Sequence, residues 1–310
     1  MDRNLLIDGN HAMHRAFYSV PDSMTAPDKT IPTNAVHGFF QILIKAVDVF
    51  EPTNVIVCWD KGKNQERLAL IPSYKDGRAK MNDNLKVQFT IVRDLLDVLM
   101  VPQYRVHNCE ADDLIGSIAN QTEDLGYQNY IFSGDHDMFQ LITEQTNVAT
   151  PKRGGEILVY NPTKIFEEYG IYPHQYVDYI GIKGDSSDVI KGIEGLGPKN
   201  ASKLIQEYGT LEEVINAAKT GTMAGKIAEK IIAGEESALV SKKVATIDCN
   251  LQVDLDLKIP WGSYSNIDGA FQYYGLQSTL NKLTKRSSKI ISVPVIEVKK
   301  EEDDLQDTLF

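Results

Sequence analysis

Cysteine is scarce in this chain, long apolar runs are missing, and basic charge is in deficit. Three cysteines in 310 residues, Cys58, Cys109 and Cys249, are odd in number and show no Cys-x-x-Cys or Cys/His spacing. That argues against a disulfide framework or a zinc site and leaves reduced or core thiols. The longest apolar runs, such as Asn54-Val-Ile-Val-Cys-Trp59, are far too short to cross a bilayer, and the start Met-Asp-Arg-Asn-Leu-Leu lacks the basic and apolar segments of a secretory signal. A cytoplasmic protein with no membrane partner is expected. With 42% hydrophobic residues, the chain can bury one large core and a smaller one.

The formal charge of −11 argues at first against nucleic acid, because phosphate binding usually leaves a basic footprint. Where the charge sits matters more. Nine clustered carboxylates, and a tail from Glu297 to Phe310 with six acids against two lysines, account for more than the whole deficit. The remainder is slightly basic, so local patches decide.

The nine acids fall in five groups: Asp8; Asp60; Glu110 with Asp112 and Asp113; Asp135 with Asp137; Asp185 with Asp188. Most follow a hydrophobic run, where a strand passes its chain to a loop at the rim of a sheet. Singly, each reads as a helix cap, a favourable first-turn charge or an ordinary polar loop. Together they are more informative, because carboxylates crowded at successive strand ends repel one another unless hard cations neutralise them. Two Mg²⁺ or Mn²⁺ ions roughly 4 Å apart demand such crowding.

Short apolar runs at 4–8, 55–60, 101–106 and 130–133, with further strand signals at Val148 and 157–159, alternate with helical spacing over 33–50, 85–100 and 110–125. That alternation predicts an α/β fold, a mostly parallel sheet with helices on both faces. From about Tyr172 strand signals give way to short helices punctuated by glycine. The reading is a metal-dependent nuclease core over 1–171, a helical domain over 172–286, and a flexible acidic tail over 287–310.

Between Asp60 and Leu85 lies a basic segment carrying Lys61, Lys63, Arg67, Lys75, Arg78 and Lys80. A solvated loop is the plain reading. The functional one has Lys75 and Arg78 reaching a scissile phosphate while Tyr74 stacks on a base. Farther on, Gly192-Ile-Glu-Gly195-Leu-Gly197-Pro-Lys199-Asn-Ala-Ser-Lys203 sets glycines before a helix, so that backbone N–H groups can approach phosphate with Lys199 and Lys203 on the flank. A plain helix–turn–helix connection also accounts for it.

These stretches resemble the 5′-nuclease (flap endonuclease) family, specifically the 5′→3′ exonuclease domain at the amino end of bacterial DNA polymerase I. The resemblance is carried by Ile7-Asp-Gly-Asn10, Thr33-Asn-Ala-Val-His-Gly-Phe39, Arg67, Tyr74-Lys75 with Arg78, Glu110-Ala-Asp-Asp-Leu-Ile115, Gly134-Asp-His-Asp137, Gly184-Asp-Ser-Ser-Asp188 and Gly195-Leu-Gly-Pro-Lys199. They run in the family's order over roughly residues 4 to 285, and with no polymerase domain following, a stand-alone enzyme is expected. His136, Val189 and Lys191 depart from the family's usual residues.

The resemblance implies a PIN-like core, a helical arch over about 61–84, and a helix–three-turn–helix duplex-binding module holding K⁺. Asp8, Asp60, Glu110 and Asp112 would hold a first Mg²⁺ or Mn²⁺; Asp113, Asp135, Asp137, Asp185 and Asp188 would hold or orient a second. Lys75 and Arg78 would act on the phosphate, and Arg67, Tyr74, Gly195, Gly197, Lys199 and Lys203 would contact DNA. The implied activity is two-metal hydrolysis of DNA with 5′ ends, flaps or nicks, extending to RNA/DNA hybrids and primer removal, by a nucleoid-associated monomer. The end Leu305-Gln306-Asp-Thr-Leu309-Phe310 resembles the Gln-x-x-Leu-Phe type of sliding-clamp peptide, through Gln306, Leu309 and Phe310. Three other readings stay open on the residues: a Toprim nuclease, a PIN-type ribonuclease, and a junction-binding protein without activity.

Overall fold

The computed structural model describes residues 2–78, 80–257 and 260–287. The chain runs β1 (Arg3–Asp8), α1 (Gly9–Ser19), α2 (Asn34–Phe50), β2 (Asn54–Cys58), α3 (Gln65–Leu70), α4 (Asp83–Val98), β3 (Gln103–Tyr104), α5 (Ala111–Asp124), β4 (Gln128–Phe132), β5 (Thr146–Pro151) and β6 (Ile157–Tyr160). There follow α6 (Pro162–Tyr169), α7 (Tyr176–Lys183), α8 (Pro198–Tyr208), α9 (Leu211–Thr220), α10 (Lys226–Ala245), α11 (Asp268–Tyr273) and α12 (Gln277–Ser287). Among the described residues, no helix is long and apolar enough to cross a membrane.

The strands form one six-stranded sheet in the order β3-β2-β1-β4-β5-β6. Neighbours are parallel except β5 and β6. The strands read as unbroken apolar runs because helices cover both faces. Alternate side chains serve different cores. Leu6, Ile56, Cys58, Ile131 and Val148 face one core with α5, while Leu5, Ile7, Val55, Val57, Phe132 and Ala149 face another with α1, α2 and α4. Each large side chain fully buried there, such as Phe39, Phe40 or Leu43, contributes about 1.5–3 kcal/mol. The chain leaves β1 towards β2 and β3, then returns to its other side at β4. The order therefore reverses between β1 and β4, which opens a crevice at their carboxyl ends.

Within the 172–286 span, two groups of helices join different cores. Helices α7 to α10 extend the core that α5 occupies, whereas Tyr264, Ile267, Phe271, Leu276, Leu280 and Leu283 join the opposite core beside α2. The stretch 246–257 that follows α10 is laid along α5, where the Ser117 hydroxyl donates to Asp248 O at 3.0 Å and accepts from Leu251 N at 3.0 Å. Helical content alone cannot reveal such a division. Among the described residues of 61–84, the six-residue helix α3 is followed by turns around Pro72 and Gly77, and Asn82 caps α4 by accepting from Asn84 N at 2.9 Å.

Candidate active site

Asp8 is the last residue of β1 and also caps α1. Its Oδ1 accepts from His11 N at 2.9 Å and its Oδ2 from the Ser133 hydroxyl at 3.0 Å, so the carboxylate is fixed at the crevice. Asp60 follows β2 and accepts from Ala111 N at 2.7 Å, which ties that loop to the start of α5. Glu110 is the N-cap residue of α5, and Asp112 sits in its first turn. Asp135 begins the turn after β4 and accepts from Asp137 N at 2.9 Å. Asp8, Asp60, Glu110, Asp112 and Asp135 line one cleft of about 700 Å³, together with Lys75 and Arg78.

Their electrostatics divide. Burial pushes Asp8 up to about 6, with Asp135 adding repulsion, and burial with Asp8 nearby does the same to Asp60, also to about 6. Asp112 is driven well above the usual carboxylate range by burial and by Asp135. Asp137 rises to about 8 through burial and the charges of Asp135, Asp185 and Asp188, which links the second acid group to the first. Glu110 behaves oppositely. Burial raises it, but Lys75 and Arg67 outweigh that and hold it below the usual range. One oxygen, Oε2, accepts from Arg67 Nη1 at 2.6 Å, Lys75 Nζ at 2.8 Å and the Tyr74 hydroxyl at 3.2 Å.

Asp185 and Asp188 lie in the turn after α7, outside the cleft lining. Gly184 and Gly192, at φ of 75° and 63°, face each other there so closely that a Cβ on Gly192 would stand 2.4 Å from Gly184 N. That approach lets Asp185 and Ile190 exchange two backbone hydrogen bonds of 2.7 Å each. Asp188 accepts from Arg78 Nη2 at 2.6 Å and lies 4.0 Å from Lys75 Nζ. Asp185 spends Oδ1 on Ser187, accepting from its N at 2.8 Å and its hydroxyl at 2.6 Å. Val189, directly after Asp188, has φ of 63°, a conformation strained for a β-branched residue.

Three predicted roles meet a different environment. Arg67 is only 6% exposed: it forks across Asp113 with Nη2 to Oδ1 at 2.7 Å and Nη1 to Oδ2 at 3.1 Å, while Nε and Nη2 donate to the carbonyls of Val244 and Thr246. It joins α3 to the end of α10 and does not face a DNA surface. Asp113 also accepts from Asp248 N at 3.0 Å, so both oxygens are committed away from the cleft. The Tyr74 ring is buried, which withdraws it from base stacking. Sequence reasoning had no means of finding these partners, since Arg67 and Thr246 are far apart in the chain.

The donor set suits a hard divalent cation: carboxylate oxygens, buried at Asp8 and Glu110 and half-buried at Asp60, Asp112 and Asp135, most of them without a basic partner among the described residues. Among the described residues, no three His, Cys, Asp or Glu side chains are already closed on one point. The acids stand around the cleft with Lys75, Arg67 and Arg78 as counter-charges.

In the helical module, Gly197 is the N-cap residue of α8, and Gly195, Gly197, Lys199 and Lys203 are exposed along that edge. Gln306, Leu309 and Phe310 lie outside the described residues. The sequence signals overlooked α1 and with it the cleft-lining His11, His14 and Tyr18; the spacing of Ala12, Met13 and Ala16 behind Asp8 was the available cue.

Comparison with known proteins finds two adjoining family models. Residues 3–170 match the 5′-3′ exonuclease N-terminal resolvase-like domain, and residues 171–264 match the 5′-3′ exonuclease C-terminal SAM fold. DNA polymerase I of Bacillus subtilis (strain 168) is 35% identical over 289 residues, covering 92% of this chain and 32% of that protein. DNA polymerase I of Bacillus caldotenax is 37% identical over 289 residues, 92% of this chain and 33% of that protein. The chain thus spans about a third of the length of these relatives. Among solved structures, the T5 D15 protein co-crystallised with metal ions superposes with a TM-score of 0.65 at 21% identity, covering 93% of this chain and 98% of that one. The catalytic core of Rad2 in complex with DNA substrate gives 0.60 at 16% identity, covering 93% and 91%. At these identities the structures attest to the fold.

Proposed function

The chain belongs to the 5′-3′ exonuclease family, and from that premise we propose that it is a divalent-metal-dependent, structure-specific 5′ nuclease that hydrolyses DNA at 5′ ends, flaps and nicks. The observation that carries this reading is the cleft at the sheet's switch point, where five carboxylates meet Lys75 and Arg78. Asp8, Asp60, Glu110 and Asp112 would hold one Mg²⁺ or Mn²⁺, and Asp135, Asp137, Asp185 and Asp188 would hold or orient a second. Asp113 supports this set through Arg67. The chemistry such ions supply when bound is acidification of a water and charge for the departing 3′ oxygen.

The chain's own groups do the rest. Lys75 Nζ rests on Glu110 and near Asp188, so an incoming phosphate competes with these carboxylates for it. Burial works against the Lys75 ammonium, but Glu110 outweighs it and keeps it charged well above neutrality, ready to meet an anion. Arg78, more than half exposed on Asp188, offers a planar fork to the same phosphate. The exposed edge of α8 with Lys199 and Lys203 would grip the duplex backbone through N–H groups and charge. In the adjoining turn, carbonyls would hold K⁺; one of them, Gly195 O, already accepts from Lys230 Nζ at 3.2 Å. Primer removal, action on RNA/DNA hybrids, work as a monomer and sliding-clamp docking extend the same reading.

The deciding experiment is cleavage of an end-labelled 5′-flap duplex with Mg²⁺, with EDTA, and by an Asp135→Ala/Asp137→Ala protein. Metal-dependent cutting near the junction, lost in the variant, is expected. Tight binding without cutting in Mg²⁺ or Mn²⁺ would replace it with a junction-binding role, and cleavage confined to single-stranded RNA with a PIN-type ribonuclease.

A further inference from the structure

Helix α1 leads away from the acids. It starts directly after Asp8 and is 11 residues long, so about 16 Å separates its ends. At the far end Tyr18 is 77% exposed, yet it lines the same cleft as Asp8 and Asp60. Its ring meets Phe17 edge to face, with centroids 5.2 Å apart at 83°. A single exposed aromatic means little by itself, but the place of this one is informative. Lys63, Lys80, Met81 and Lys86 line the cleft with it, set against the acids of the floor. The cleft's other tyrosine, Tyr74, is 6% exposed with its hydroxyl on Glu110, so its ring offers no open face.

An exposed aromatic ring that shares its cleft with Lys63, Lys80 and Lys86, the last paired with Asp83, suits a single-stranded nucleic acid whose bases stack while its phosphates meet the lysines. A paired base inside a duplex has both faces covered by its neighbours, so the occupant is an unpaired one. We propose that Tyr18 is a base-stacking platform for the single-stranded part of the substrate, gripping a nucleobase within about five nucleotides of the scissile phosphate at 3.4 Å per nucleotide. This rests on the 5′-nuclease reading and adds a grip that neither chain pattern nor family resemblance assigned. Its consequence is a preference for substrates with an unpaired base at that distance, in any base identity, because every base has a π-face.

The test uses the full chain in EDTA, where binding is read without cutting. A 5′-flap duplex carries the fluorescent base 2-aminopurine at successive single-stranded positions, and wild type is compared with Tyr18→Ala and Tyr18→Phe. Quenching at one position is expected in wild type and in Tyr18→Phe, and its loss in Tyr18→Ala, with Kd about 10-fold weaker. An abasic site at that position should weaken wild type equally and leave Tyr18→Ala unchanged. Equal Kd and equal quenching in wild type and Tyr18→Ala would overturn the proposal, as would an equal loss on a blunt duplex. Wild type that still cuts flaps in Mg²⁺ under that result would leave the nuclease reading standing; wild type that neither binds nor cuts them would remove both.

Discussion

Glu110 and Asp112 are two residues apart at the start of one helix, yet they sit in opposite electrostatic worlds. Glu110 is wrapped by Arg67, Lys75 and Tyr74 and held below the usual carboxylate range, while Asp112, with Asp8, Asp60 and Asp137, is withdrawn from water among like charges and pushed up. One side of the site is thus neutralised by the protein itself, through Arg67 on Glu110 and Asp113 and Arg78 on Asp188. The other side is crowded with like charge, which either a proton or an added cation would relieve. The difference teaches that acids equivalent by sequence differ in their surroundings: Glu110, Asp113 and Asp188 already hold basic partners, whereas Asp112 and Asp137 face mainly other carboxylates.

The sharpest way to break this contrast is Arg67→Met, which strips the counter-charge from two buried carboxylates. Loss of about 3–5 kcal/mol is expected, read as a lowered midpoint in urea unfolding, and Arg67→Lys should fail to restore it because an ammonium cannot fork across Asp113. Next, Lys75→Met moves the boundary between the two sides. Cleavage of the flap substrate should fall on the order of 10²–10³-fold in single-turnover assays, with folding intact, as when one charge-stabilising donor is removed. A protein that cuts at the wild-type rate would take Lys75 out of the reaction.

Asp112→Asn probes the uncompensated side, and its two readouts should run in opposite directions. Removing one charge from the crowd should raise the melting temperature in EDTA, by about 1 kcal/mol of stability, while abolishing Mg²⁺-dependent cutting. A lowered melting temperature would mean that Asp112 is paired after all. The smallest effect is expected at Val189, whose φ of 63° suits Asn far better than a β-branched residue. Val189→Asn should stabilise by about 1 kcal/mol in thermal melts and leave the Arg78–Asp188 pair in place.

Much of this molecule is legible in the chain. The runs ending at Asp8, Trp59 and Ser133 are continuous because parallel strands are buried on both faces, so strand, strand end and acid could be read together. The amphipathic spacing of α2, α4 and α5 gave their positions to within a few residues of the observed ends. Arg67 and Tyr74 were legible only as basic and aromatic residues in a polar stretch. Their burial depends on Glu110, Asp113 and the end of α10, partners that no local pattern connects. Helix α1 was overlooked because its polar residues dilute the apolar face formed by Ala12, Met13 and Ala16.

The sequence by itself determined the α/β class, the family, the acids that end the strands and the glycine-rich turn before α8, since these rest on local periodicity and on residue types with few alternative uses. Only the tertiary structure decided which carboxylates are already neutralised, that Arg67 is a buried tie, that Tyr18 and not Tyr74 offers an open ring, and that the last helices join the opposite core. Those outcomes are set by distances between residues remote in the chain, and Coulomb energy, desolvation and packing respond to distance through space rather than to separation along the sequence.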